Sequence, residues 1–440
     1  MTMHLGTMHL GMILLGAGGH VAGWRMPGAE FGSENLPLLR RIVASAERGK
    51  FDFVFLADAL NTGLDAHPGM MVRLEPLTLL AALAMVTERI GLGATVSTTY
   101  SEPYNVARAF ASIDHISGGR AAWNVVTGSS PDAAANFSRD KHPPHAERYA
   151  MAAEFLQVVK GLWDSWDDGA IVGDKASGTF ADPAKLRVLD HRGRFHQVRG
   201  PLNISRPPQG HPVIMQAGAS DAGRDFAAAT AEVVFTAQGD MEEALAFARD
   251  LRARTVAAGR PADAIRILPG INPVIGRTEA EAKEKIAQLA SLADPVAALK
   301  VLSDRLGHDL SGLPLDGSVP ELPPSGMMQG HATQLASIAR RKRMTLRELR
   351  DYAAVSSGHR VLYGTAEAIA DDMEAWFRSG AASGFVLQFT HHPGPLDEFV
   401  DQVVPILVRR GLFRRDYEGR TLRSHLGLRR PAWKDAASGG

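Results

Sequence analysis

Short apolar runs alternate with amphipathic stretches along almost the whole chain, and few folds can accommodate that pattern. The runs occupy residues 9–15, 51–56, 90–96, 121–126, 213–216, 233–236, 265–271 and 384–389. Each is apolar throughout or nearly so, as expected of strands buried on both faces of a parallel sheet. Between them lie helical patterns at 36–49, 75–88, 104–116, 147–163 and 241–258. Alternation over eight strands predicts an α/β chain closed into a (β/α)8 TIM barrel, with an open doubly wound sheet as the competitor. The junctions agree. Gly49 follows the first helix, Pro103 sits where a helix start tolerates proline, and Ser220 or Asp221 can cap the helix after strand five.

Two stretches break the rhythm. Residues 164–211, after the fourth helix, are rich in Asp, Gly, His and Pro. Residues 293–362, between strands seven and eight, hold a Pro- and Gly-rich loop followed by helical patterns at 331–342 and 346–352. Both read as insertions in one barrel domain spanning 1–430, the second of them a lid. Residues 431–440 read as a disordered tail.

Composition then excludes several function classes. Lys and Arg total 48 against 48 Asp and Glu, so no net field draws the chain to nucleic acid or anionic lipid. Cysteine is absent, which excludes disulfides, thiol nucleophiles, thiolate zinc sites and iron–sulfur clusters. The longest apolar run, 77–86, is far short of the roughly 18 residues of a membrane span. With no signal-peptide pattern, a soluble cytoplasmic protein is expected.

In such a barrel the chemistry sits where strands end. Leaving the strands are Gly16-Ala17-Gly18-Gly19-His20, Asp58, the Thr95–Tyr100 stretch, Asn124 to Thr127, Gln216 to Ser220, and Phe235-Thr236. Hydroxyls and amides dominate, a lining able to hydrogen-bond a large neutral heteroaromatic. The glycine loop imitates a dinucleotide fingerprint, but Val21 stands where its last glycine belongs. No Walker A loop or nucleophile elbow is present, so no nicotinamide site is expected. His145, Arg148 and Tyr149 share one helix face, which suits a surface cluster or a ligand site. Ser220 reads as an N-cap that can equally hold a phosphate. Asp58, a strand-end carboxylate, reads either as a cap or as part of a site. Phe55 and Phe235 read as core. His391-His392 follows the last strand. His142 and His145 are separated by two prolines, which denies them helical metal-ligand geometry, so no metal is expected. The run Arg340-Arg341-Lys342-Arg343 reads as a solvated helix face.

The motifs Glu47-Arg48-Gly49-Lys50-Phe51-Asp52, Phe55-Leu56-Ala57-Asp58, Ser117-Gly118-Gly119-Arg120-Ala121-Ala122-Trp123-Asn124-Val125-Val126-Thr127, Arg148-Tyr149, Gln216-Ala217-Gly218 and Tyr417-Glu418-Gly419 occur in that order. Through them the chain resembles the bacterial-luciferase-like flavin monooxygenases. It is similar to the group of nitrilotriacetate monooxygenase component A, pristinamycin synthase and dibenzothiophene-sulfone monooxygenase. The resemblance implies a barrel that uses reduced FMN and O2 through a C4a-hydroperoxyflavin, with a separate NAD(P)H:flavin reductase supplying the flavin. It places flavin contacts on Asp58, Thr95, His145, Tyr149, Ala219 and Ser220, with Asn124 and Thr127 beside the ring. Phe55 and Phe235 would face the substrate. His20, Ser129 and His391 would tune the oxygen chemistry. Some relatives carry a serine directly after the Asn-Val-Val-Thr run, where this chain has Gly128. A homodimer or homotetramer is implied. The few cations at the strand ends favour a weakly charged organosulfur or organonitrogen substrate. Hydride transfer with a deazaflavin or flavin, or flavin binding without turnover, are the alternatives.

Overall fold

The apolar runs do form strands. The structure is a computed structural model that describes residues 6–433 except Asp65, Ser129, Ala219, residues 321–328 and Ser357. The strands are β1 (His9–Ile13), β2 (Phe53–Leu56), β3 (Gly91–Ser97), β4 (Ala121–Val126), β5 (Val213–Gln216), β6 (Val233–Thr236), β7 (Arg266–Ile275) and β8 (Gly384–Leu387). All pair in parallel, and β8 pairs with both β7 and β1, so the sheet closes into an eight-stranded barrel. The helices around it are α1 (Leu36–Arg48), α2 (Pro76–Ala84), α3 (Pro103–Ile116), α4 (His145–Trp163), α5 (Asp221–Thr230), α6 (Met241–Ala257) and α7 (Ala366–Arg378), followed by α8 over residues 394–409. Among the described residues no single helix is long and apolar enough to cross a membrane.

Strand periodicity sorts the core into two layers. Val54, Leu92 and Trp123 point outward and pack under the helices. Phe53, Phe55, Ala122 and Met215 point inward. The inner layer is crowded, and Gly11 on β1 shows why: a Cβ there would lie 2.3 Å from the Phe53 ring. Leu422 and Leu426, on the short helix Leu422–His425, join this inner cluster and plug the N-terminal mouth. The Cβ position of Gly91, at the start of β3, lies 2.6 Å from Leu422 Cδ1. The plug is tied down by ions: Arg423 meets the Glu232 carboxylate at 2.5 and 2.9 Å, and Arg414 meets Asp52.

The two interruptions differ from their expected form. Residues 164–211 hold two small antiparallel hairpins, Ile171–Asp174 with Thr179–Ala181 and His191–Arg192 with Gln197–Val198. The second is pinned by Glu154 of α4, whose carboxylate accepts N–H bonds from Phe195 and His196 at 3.1 and 2.8 Å. Residues 293–362 contain the helices Pro295–Leu306, Gln329–Lys342 and Leu346–Ser356, with a core of their own built on Leu302, Leu306, Leu335 and Leu349. The basic run of this segment is not merely solvated, since Arg341 pairs with Asp240 and Glu243 at the start of α6. A ninth parallel strand, Arg360–Gly364, also lies here. It pairs with Ile271–Ile275, the half of β7 that overruns the barrel. Of the expected tail, residues 434–440 lie outside the described residues. Its first part is anchored, because Trp433 Nε1 donates to the Asp164 carbonyl.

Candidate active site

A cavity of about 470 Å³ opens at the C-terminal ends of the strands. One end is built for an anion. Helix α5 begins there, capped by Ser220, whose Oγ accepts from Gly223 N at 3.2 Å. The first turn of α4 brings His145, Arg148 and Tyr149 to the same wall. The His145 and Tyr149 rings lie 4.9 Å apart. A Cβ on Gly223 would sit 3.0 Å from the Tyr149 hydroxyl and 3.1 Å from Ser220 Oγ, so glycine lets the two hydroxyls converge over the helix start. Arg148 is oriented by the His142 ring, which the Tyr100 hydroxyl meets at 2.6 Å. A helix N-terminus with hydroxyls and a guanidinium around it favours a phosphate.

Between the two ends the wall is polar. Asn124 donates to Thr95 Oγ1 at 2.8 Å across the β3–β4 pair. The Thr127 carbonyl accepts from the Thr99 hydroxyl at 2.7 Å. Asp58, at the end of β2, accepts from Arg73 Nε at 2.7 Å. Burial raises the pKa of this carboxyl despite its arginine partner. The inner end is aromatic. The Phe55 and Phe235 rings stand edge to face at 5.7 Å, and Phe235 lies 5.0 Å from the His359 ring.

Asp58, Thr95, Asn124, Thr127, His145, Tyr149, Ser220, Phe55 and Phe235 therefore line one cavity. Ser129 and Ala219 lie outside the described residues; their neighbours Gly128, Ser130, Gly218 and Ser220 are in the lining. His20 and His391 are not among the described lining residues. They lie behind the wall, close enough to His67 and to each other to act electrostatically. Burial first, then His67 and His391, hold the His20 pKa down to about 3, and burial followed by Lys285 holds His391 at about 4. Both rings are neutral near pH 7. His20 Nδ1 accepts from Ala22 N at 3.0 Å, so its proton is on Nε2.

Several lining residues were not anticipated as ligands. Gln216, already among the strand-end residues, and Gln388 leave β5 and β8, and their buried Oε1 atoms have no hydrogen-bond partner among the described residues. Strand-end position could have found Gln388 as well. His67, Arg305 and His359 arrive from connecting segments. His67 accepts from Gly69 N and faces the Gly19 carbonyl at 3.1 Å, so Nε2 is the donor.

The sequence profile of the luciferase-like monooxygenase family matches residues 8–383. The chain belongs to that family. This luciferase-like monooxygenase is 48% identical over 435 residues to N-acetyl-S-(2-succino)cysteine monooxygenase of Bacillus subtilis (strain 168), spanning 98% of this chain and 99% of that one. It is 46% identical to nitrilotriacetate monooxygenase component A of Aminobacter aminovorans, spanning 96% and 97%. A solved riboflavin lyase carrying modified FMN and riboflavin superposes with a TM-score of 0.86 at 32% identity, over 98% of each chain. The monooxygenase is thus similar throughout its length to enzymes that oxygenate small molecules or handle flavins.

Proposed function

We propose that this monooxygenase is the oxygenating half of a two-component system. It takes reduced FMN from a separate NAD(P)H:flavin reductase and, with O2 as co-substrate, adds one oxygen atom to a small organosulfur or organonitrogen compound. The carrying observation is that one cavity combines an anion-holding end, a polar middle and an aromatic end. Its volume suits a cofactor-sized ligand. The orphaned acceptors Gln216 Oε1 and Gln388 Oε1 call for N–H donors, which a flavin ring has. The residues therefore fit the group. Ser220, with its neighbour Ala219, and His145, Arg148 and Tyr149 would hold the phosphate, while Asp58, Thr95, Asn124 and Thr127 would border the rest of the cofactor.

Bound reduced flavin supplies the electrons that activate O2. The chain's own part is to orient and to exclude water. Phe55 and Phe235 give the substrate an apolar face and keep solvent from the reacting atoms. Ser129, next to the lining residue Gly128, is the hydroxyl we assign to holding a proton near them. His20 and His391 act as positioning residues, through His67 and the turn at Gly18-Gly19. Two relatives are named for a sulfur compound and a nitrogen compound, which supports the substrate class. A cytoplasmic homodimer or homotetramer is the setting we propose.

Anaerobic titration with reduced FMN, followed by mixing with oxygenated buffer in a stopped-flow spectrometer, tests this reading. Tight binding and a transient oxygenated-flavin absorbance are expected. Failure to bind reduced FMN sinks the proposal, and binding with no such transient removes the oxygenase half of it.

A further inference from the structure

A second cavity, of about 410 Å³, lies where the insertion meets the outside of the barrel. The strand Arg360–Gly364 and helix α7 supply one side of it, and the insertion helices Gln329–Lys342 and Leu346–Ser356 the other. Arg360, the first residue of the strand, is 9% exposed. Its guanidinium stacks on the Trp376 ring of α7 at 3.9 Å, and its Nη1 donates to Asp372 of the same helix at 2.8 Å. The other edge, Nε and Nη2, is buried with no acceptor among the described residues. Two N–H groups side by side on a guanidinium form the fork that grips an oxyanion bidentately. A buried donor left unmet is destabilising, and a ligand oxygen would relieve it. The carboxylates of the lining are engaged elsewhere, Asp372 by Nη1 and Asp240 by Arg341. Lys342 lines the cavity from the insertion side, exposed, with its Nζ 5.7 Å from the Tyr352 ring. Ile338, Leu362 and Ile369 make part of the remaining lining apolar.

We propose that this cavity is a second ligand site, separate from the reaction cavity, and that it takes a phosphate monoester with a small apolar or aromatic body. The phosphate would sit on the Nε–Nη2 edge of Arg360 and meet Lys342, while the body lies against Tyr352 and Ile338. A monoester carries nearly two negative charges and three acceptor oxygens at neutral pH, enough to engage cations from both sides at once. The volume suits a small molecule. Such a ligand would brace the insertion against the barrel. It would do so one residue from the reaction cavity, whose lining includes His359.

Phenyl phosphate is the probe, titrated by anaerobic calorimetry into the full chain saturated with reduced FMN, which fills the phosphate end of the reaction cavity. Phenol and inorganic phosphate are the comparisons. Phenyl phosphate is expected to bind at least tenfold more tightly than either. Arg360→Lys keeps a charge for Asp372 but removes the fork, and should weaken phenyl phosphate at least tenfold. Lys342→Gln alters an exposed side chain and should weaken it at least threefold with the fold undisturbed. No binding of phenyl phosphate, or binding that Lys342→Gln leaves unchanged, overturns the proposal. Inorganic phosphate binding as tightly as the monoester would assign the site to the free ion and overturn the ligand class. Should the chain not bind reduced FMN, the same titrations on the chain alone decide the matter, because both substitutions lie outside the reaction cavity.

Discussion

At the scale of single residues, the site depends on side chains that converge from different elements on one cavity. Tyr149 converges with Ser220 over the start of α5, spaced by a glycine that has no Cβ to obstruct it. In the proposed site Tyr149 would donate to the flavin phosphate, so Tyr149→Phe would remove one charge-assisted hydrogen bond, worth about 1.5–3 kcal/mol. Affinity for reduced FMN should fall about tenfold or more, read by anaerobic titration. Gly128 sits at φ 70°, where a side chain is strained, while the space around its Cβ position holds only ordinary contacts. Gly128→Ser should therefore cost about 1–2 kcal/mol of stability from the backbone alone, measured as a lower urea midpoint. Nine of the anticipated site residues line the cavity because strand ends converge in a barrel, and strands are legible from apolar periodicity. Arg305, His67 and His359 were illegible for the complementary reason. They come from connections whose path is set by tertiary packing and not by any local pattern.

At the scale of elements, the strands 121–126, 213–216 and 233–236 match their expected bounds to the residue. Each is a short apolar run with clear punctuation on both sides. The strand Arg360–Gly364 was hidden because it is partly exposed, with alternating burial, inside a segment that otherwise reads as helical. Its pairing partner, the far half of β7, continues a buried run past the length of a normal barrel strand. The hairpin around 191–198 shows a different dependence, being held by one carboxylate from α4. Glu154→Ala removes the acceptor for Phe195 N, His196 N and His191 Nε2 together. Limited proteolysis with mass mapping should then find the first cuts in residues 187–199, with the barrel's cooperative melting retained. Unchanged cleavage there would mean that the hairpin is held by other contacts.

At the scale of the whole molecule, the barrel is closed below by the C-terminal plug and its buried ions. Arg423→Met would leave the Glu232 carboxylate enclosed without its partner, a loss of about 3–5 kcal/mol for a broken buried pair. The deficit should shrink in acid, because arginine holds the Glu232 pKa below its ordinary value against the opposing effect of burial. A depressed carboxyl contributes stability above its unfolded pKa and loses it as pH falls through the folded one. Five buried or partly buried histidines push the same way. Burial holds His20 and His392 at about 3 and His67, His391 and His425 at about 4. The unfolded chain binds those protons near pH 6.5 and the folded chain does not, so stability is full above pH 6.5 and declines below it. Denaturant titrations from pH 8 to 4 should show a plateau and then a continuous fall; a flat profile down to pH 5 would contradict it. The chain leaves the barrel at Ile275 and returns beside it at Gly364, hydrogen-bonded in register. Everything between those two points is a cassette with adjacent ends. Its length and sequence can change without redrawing the strand pairing of the barrel.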